Sequence, residues 1–383
     1  ATGADLLAWN PGVFNDRTGA AFETFDRTFV YDGGTGTYFG WNDLVNFRSP
    51  DWCAWWGPTW IRAGLGPNTV GCTFAPGGPT SDPFTASLSY LPDFKTESTV
   101  VADVPAFFAQ KSDTGFTADL GLTPRQYLVR WHADWVRALG FDGFRVDTVN
   151  NVEPEAFAAL KTAASSAFED WKAAHPARTL DATPFFTVAE AFGHGVELDA
   201  IYATGHFDAV LNFTFQQQLR DLLNYSGGLL GDGAATLSQA YAQLGATTAD
   251  PAWGVLSYLS SHDTDLFFAL MGGQPRFQRQ GGTALLLAPG GVQLFYGDES
   301  ARPRGPTASD PAAGARSDMN WASPDPTVLA HFRLLGNFRK KHGAVGAGTH
   351  TVLPSPAGTW AFSRTLKRAG LDDAVVVLLT PPR

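Results

Sequence analysis

From Thr123 onward the chain alternates short apolar runs with longer stretches of helical period, and few folds accommodate that pattern. The runs are Phe144–Asp147, Phe185–Glu190, Ala209–Phe213, Val255–Ser260 and Val292–Tyr296, each read as a strand. Thr123-Pro124-Arg125-Gln126 reads as a capping box with proline at the first helical position, followed by Tyr127, Trp131, Trp135 and Leu139 at helical spacing. Pro154 opens a second helix with the apolar stripe Phe157, Leu160, Ala164, Phe168 and Trp171. Further helical stretches lie near 234–244, 276–288 and 326–340. Strands separated by helices pair in parallel through right-handed crossovers, so this half of the chain predicts an α/β fold. After residue 343 two short β runs, Trp360–Thr365 and Ala374–Leu379, read as a small antiparallel sheet. Residues 1–118 are rich in Gly and Pro and show no sustained period. The cluster Trp41, Trp52, Trp55, Trp56 and Trp60 there reads as the core of a small domain, with sugar-stacking faces as the alternative.

Three of the segments end in a carboxylate: Gly-Phe-Arg-Val-Asp147, Phe-Thr-Val-Ala-Glu190 and Leu-Ser-Ser-His-Asp263. Acidic groups gathered at one mouth repel each other, and a fold keeps them there chiefly when chemistry needs them. The plainer alternative is that each caps the helix after its strand. Catalytic groups at the ends of several different strands favour a (β/α)8 TIM barrel over an open sheet, whose site sits at one switch point. Arg145 shares a strand face with Asp147 because side chains alternate with period two, so the two are expected to pair. Two carboxyl groups can cleave a glycosidic bond when one attacks the anomeric carbon and the other protonates the leaving oxygen, and a third can hold the sugar hydroxyls.

The 383 residues carry a net charge of −10, which leaves no electrostatic footprint for nucleic acid or anionic lipid. The longest apolar stretch, 283–295, is broken by Pro289, Gly290 and Gly291, and no segment reads as a membrane span. Cys53 and Cys72 lack the spacing of a metal site and read as a disulfide closing a short loop, with two unrelated buried thiols as the alternative.

Gly140-Phe-Asp-Gly-Phe-Arg-Val-Asp147, Ala189-Glu190-Ala-Phe-Gly, Ser261-His262-Asp263 and Gly291-Val-Gln-Leu-Phe-Tyr-Gly-Asp-Glu299 resemble, in order, the signature segments of the α-amylase family of glycoside hydrolases. Leu91-Pro92-Asp93 resembles that family's additional motif in domain B. The resemblance implies a TIM barrel of which strands four to eight are present, a domain B-like region at 1–118, the second part of the catalytic barrel at 119–342, and a partial C-terminal antiparallel β domain at 343–383. It implies Asp147 as nucleophile, Glu190 as acid/base and Asp263 as transition-state stabiliser, with Arg145 and His262 contacting nucleophile and substrate. It also implies a calcium ion between domain B and the barrel, with Asp93 as a ligand and Asn151 ligating through its backbone carbonyl. An α-glucan or maltodextrin substrate, retaining hydrolysis, a periplasmic or secreted location and a full-length monomer follow from the same resemblance. Transglycosylation, hydrolysis of short α-glucosides and a non-catalytic carbohydrate-binding role are the alternatives.

Some positions depart from the family pattern. Asn150-Asn151 stands where Lys-His is frequent, Ala189 where Gly is usual, and Ser261 where Asn is common. The family's first signature, which ends the third barrel strand, is expected to lie upstream of residue 1. Without those strands residues 1–383 are expected to be unstable alone.

Overall fold

The structure, a computed structural model, describes residues 56–57, 59–61, 84, 93–105, 120–247, 253–305, 311–368 and 370–381. The chain divides into two compact units, Ala1–Thr187 with Ala200–Phe207, and Val188–Asp199 with Asp208–Arg383. Most of 1–118, including Cys53 and Cys72, lies outside the described residues, and so does the expected disulfide.

In the first unit, helix α1 (Pro124–Leu139) opens on the expected capping box: Thr123 accepts from the Gln126 amide, and Gln126 accepts from the Thr123 amide at 3.0 Å. Its apolar stripe is only half of the expected one. Tyr127 is buried and Trp131 stacks on Trp60 with ring centroids 5.6 Å apart, but Trp135 is 60% and Leu139 54% exposed. The helix instead buries Ala133 and Val136 against Ala164, Ala167 and Phe168 of helix α2 (Pro154–Ala174). Small residues let the two axes approach, which the large tryptophans cannot do. Gly140 then ends α1 in a left-handed conformation, and a Cβ there would strike the Trp171 ring, so both the stop and the packing need glycine. Trp60 itself is fully buried, which fits the core reading of that tryptophan. Strand β1 (Gly143–Val146) follows, and the Phe186 amide at the start of β2 (Phe186–Ala189) donates to the Asp142 carbonyl at 2.9 Å.

In the second unit the end of β2 pairs in parallel with β3 (Ala209–Asn212), Val188 opposite Ala209. Helices α3 (Thr214–Ser226) and α4 (Asp232–Thr247) follow, then β4 (Gly254–Tyr258), helix α5 (Pro275–Leu286) and β5 (Gly291–Gln293). Asn212 lies opposite Ser257, and Tyr258 opposite Gln293. The strands thus follow one another in chain order, β1-β2-β3-β4-β5. This parallel series matches the expected barrel type, although among the described residues no pairing closes it into a ring. The fully buried β3 and a core of Val188, Leu211, Phe213 and Tyr258 show why these strands read as apolar runs. Strand β5 stops before the expected Tyr296, because Leu294 and Tyr296 face outward and the chain turns into a 3-10 segment at Asp298–Ser300.

Helix α6 (Pro326–Lys341), capped by the Asp325 carboxylate, leads to β6 (Thr349–Leu353), β7 (Trp360–Arg368) and β8 (Leu371–Leu379). These three form the expected antiparallel sheet, with Trp360 opposite Leu379. Phe362 of β7 meets Tyr241 of α4 edge-on at 5.8 Å, which seats this sheet within the second unit.

Candidate active site

Each of the three carboxylates stands just beyond a parallel strand, where a barrel places its chemistry. Asp147 follows β1 in the first unit. Arg145 Nη1 donates to Asp147 Oδ2 at 2.6 Å, the pairing expected from strand alternation, and the Asp147 side chain remains 64% exposed. The next residue, Thr148, has φ 46 and ψ 47. A β-branched residue rarely adopts that left-handed conformation, and such strain concentrates at functional sites. Thr148, and not Asp147, is the N-cap of the 3-10 turn Val149–Asn151, so the helix-capping alternative does not hold for Asp147.

Glu190 and Asp263 belong to the second unit. Glu190 directly follows β2 and is 2% exposed. Asp263 lies in the loop after β4, where it meets a histidine and an arginine side chain. His262 Nε2 is 3.0 Å from Asp263 Oδ2, and Arg316 Nη2 donates to Asp263 Oδ1 at 3.2 Å. The turn of helix at Phe267–Leu270 has Leu266 at its N-cap with no side-chain cap, so Asp263 is not a helix cap either. Buried amides shape this loop. Gln216 of α3 donates through Nε2 to the carbonyls of Leu259 at 2.5 Å and Asp265 at 2.8 Å. Within it, Thr264 Oγ1 accepts from the Ser261 amide at 3.1 Å, and Ser261 Oγ accepts from the Asp263 amide at 3.2 Å. His194 contributes its carbonyl to the Phe213 amide at 3.0 Å, which ties the segment after Glu190 to the end of β3.

Two groups of this region have no counterpart in the sequence reading. Arg316 ends a 3-10 segment, Pro311–Arg316, in a Gly- and Pro-rich stretch that shows no periodic signal. Asp298 lies inside a quoted signature segment but attracts no role there. It is buried, accepts from Ser260 Oγ at 2.5 Å, and burial pushes its carboxyl up to about 7.

The expected metal ligands both lie in the first unit. Asp93 is half-buried beside the short bridge between Ile61 and Phe94, and Asn151 ends the 3-10 turn after β1. Their segments are joined: Thr96 Oγ1 donates to Glu153 Oε2, and the Thr96 carbonyl accepts from Arg125 Nε at 2.8 Å. A carboxylate and a carbonyl fit an oxygen-seeking cation such as calcium, which takes six to eight such donors. Among the described residues, no group of three or more His, Cys, Asp or Glu side chains stands ready for a metal.

Comparison with known proteins identifies the family. Residues 121–320, more than half of the chain, match the model of the alpha amylase catalytic domain. The periplasmic alpha-amylase of Escherichia coli K12 is 43% identical over 350 residues, covering 89% of this chain and 47% of the relative. The chain thus spans about half the length of the curated relatives it matches. Among solved structures, a cyclomaltodextrinase superposes with a TM-score of 0.55 at 18% identity, over 98% of this chain and 53% of its own. An Anoxybacillus alpha-amylase gives 0.50 at 22%, over 64% and 50%. At those identities the two structures speak for the fold. By its catalytic-domain match and its parallel sheet with carboxylates at the strand ends, the chain belongs to the α-amylase family of glycoside hydrolases.

Proposed function

We propose that the full-length protein hydrolyses α-1,4-glucosidic bonds in starch or maltodextrins with retention of configuration. The observation that carries the reading is the contrast between two carboxyl groups at strand ends: Asp147 is exposed and paired with Arg145, whereas Glu190 is buried. A retaining mechanism needs two carboxyl groups in different surroundings, one to attack and one to donate a proton. The Asp147 carboxylate attacks the anomeric carbon while Glu190 gives its proton to the departing glycosidic oxygen. Glu190, now a carboxylate, takes a proton from water, whose oxygen displaces Asp147 from the same carbon. Two inversions leave the original configuration. Asp263 would hold sugar hydroxyls as positive charge develops on the ring, and its own contacts to His262 and Arg316 fix its orientation. Retention requires the Asp147 and Glu190 carboxyls to stand about 5–5.5 Å apart in the working enzyme.

Calcium, held by Asp93 and the Asn151 carbonyl with further oxygen donors, would supply fixed positive charge that pins the domain B-like region to the turn after β1. The contact between Thr96 and Glu153 supports that placement. The domain assignments 1–118, 119–342 and 343–383, a monomeric full-length protein and a periplasmic or secreted location complete the reading, the location supported by the likeness to a periplasmic enzyme. No described helix is long and apolar enough to cross a membrane.

Product analysis on starch, maltodextrin and sucrose tests the proposal. Glucose and short maltooligosaccharides from the first two substrates are expected. Transfer products longer than the substrate, or cleavage of sucrose alone, would contradict it.

A further inference from the structure

Asp263 is braced on two sides, and both braces are held by residues of one short segment, 298–302. On the first side is Ser260, fully buried at the start of the loop that carries His262 and Asp263. Its Oγ donates to Asp298 Oδ1 at 2.5 Å and accepts from the Phe267 amide at 2.9 Å, so one hydroxyl ties together both ends of that loop. The backbone of Asp298 is fixed in turn. Gln278 of α5 donates to its carbonyl at 2.9 Å, and its amide donates to the Phe295 carbonyl at 3.0 Å.

On the second side is Arg316, and the residues flanking it are held by Arg302. Arg302 Nη2 donates to the Ala315 carbonyl at 2.9 Å, and Nη1 donates to the Ser317 carbonyl at 2.8 Å and to Ser317 Oγ. Its Nε reaches the Tyr296 carbonyl at 3.0 Å, so the guanidinium is spent almost wholly on backbone. Asp298 opens the 3-10 turn Asp298–Ser300, Arg302 lies two residues beyond its end, and both are buried. The turn is unusual: Gly297 has φ 92, where a Cβ would strike Arg302, and Ala301 has φ 56. A left-handed alanine is costly, and a fold retains one where its surroundings fix it.

We infer that Asp298 and Arg302 are positioning residues for Asp263: one fixes the loop that bears it, and the other fixes the arginine that pairs with it. Neither touches substrate in this account. Buried polar groups whose bonds serve only stability can often be replaced by apolar packing. Here their bonds lead specifically to the segments bearing Asp263 and Arg316. The inference rests on the reading of Asp263 as a transition-state stabiliser.

The test uses the full-length protein and a soluble maltodextrin. Ser260→Ala removes both bonds of the hydroxyl, and Arg302→Lys cannot reach three carbonyls at once. Misplacing Asp263 should lower kcat about tenfold to a hundredfold. KM should change less than about threefold, because binding contacts away from Asp263 persist. Ser260→Thr keeps the hydroxyl and should stay within about threefold of the parent in kcat. Hydrogen exchange is read alongside: the Phe267 amide should exchange faster in Ser260→Ala but not in Ser260→Thr, with β8 unchanged in both. Parental kcat in Ser260→Ala, no rescue by threonine, or loss of protection throughout the second unit would overturn the inference. A parent inactive on every α-glucan would sink the reading of the site instead, while the exchange of Phe267 would still decide whether the brace exists.

Discussion

The buried Asp298 makes the stability of the second unit depend on pH in a direction the structure fixes. Burial is the largest influence on this carboxyl and raises it from 3.8 to about 7; the bond from Ser260 and the nearby Arg302 oppose the rise without cancelling it. Below pH 4 the group is protonated in both folded and unfolded chains and costs nothing. Between about pH 4 and 7 the unfolded chain releases the proton while the folded chain keeps it, so stability falls as pH rises. Above about pH 7 both states are ionised and the penalty is complete. A rise of about three pKa units corresponds to about 4 kcal/mol at 1.36 kcal/mol per unit. Asp298→Asn cannot ionise and keeps an acceptor for Ser260, so it should escape this penalty. Opening free energies of the Val255–Tyr258 amides, from hydrogen exchange at pH 4 and pH 8, read the local effect. Relative to the parent, the variant should gain about 4 kcal/mol between the two pH values. Parallel pH dependence of parent and variant, within about 1 kcal/mol, would refute the reasoning.

Other perturbations probe separate parts of the account. Gly297→Ala combines a left-handed backbone with a clash on Arg302 and should cost about 3 kcal/mol or more, seen as a lowered urea midpoint; an unchanged midpoint would mean the turn relaxes freely. Asp325→Ala removes the acceptor for the Thr327 and Val328 amides and should cost about 1 kcal/mol in thermal unfolding. Calcium removal by a chelator should lower the melting temperature of the full-length protein, with recovery on adding calcium but not magnesium, as a site of flexible oxygen donors predicts. Thiol titration of the native protein should find Cys53 and Cys72 unreactive until reductant is added, whereas two free thiols would remove the expected bridge.

Much of the fold is legible because its parallel strands are short apolar runs, β3 being buried on both faces, and because α1 begins on a capping box. Fold and sequence pattern diverge where side-chain size misleads. Trp135 and Leu139 look like core residues, yet the approach of α1 to α2 selects Ala133 and Val136. Helix α3 gives a weak sequence signal because its run of glutamines and charges hides a buried face of Phe215, Leu219, Leu222 and Leu223. At the site, strand-end position exposed the three carboxylates, and period-two alternation gave the pairing of Arg145 with Asp147. The partners of Asp263 and Ser260 were invisible for another reason. Arg316 lies 53 residues from Asp263, and Asp298 lies 38 from Ser260, separations at which only the folded chain defines neighbours.

The central claim, retaining hydrolysis through Asp147, is tested most directly by trapping the glycosyl-enzyme. The full-length protein is incubated with a 5-fluoro-α-glucosyl fluoride, whose intermediate turns over slowly, then digested and analysed by mass spectrometry. The account predicts one hexosyl adduct on the peptide containing Asp147, absent from Asp147→Asn. An adduct on any other carboxylate, or none from an enzyme that still cleaves maltodextrin, would contradict it.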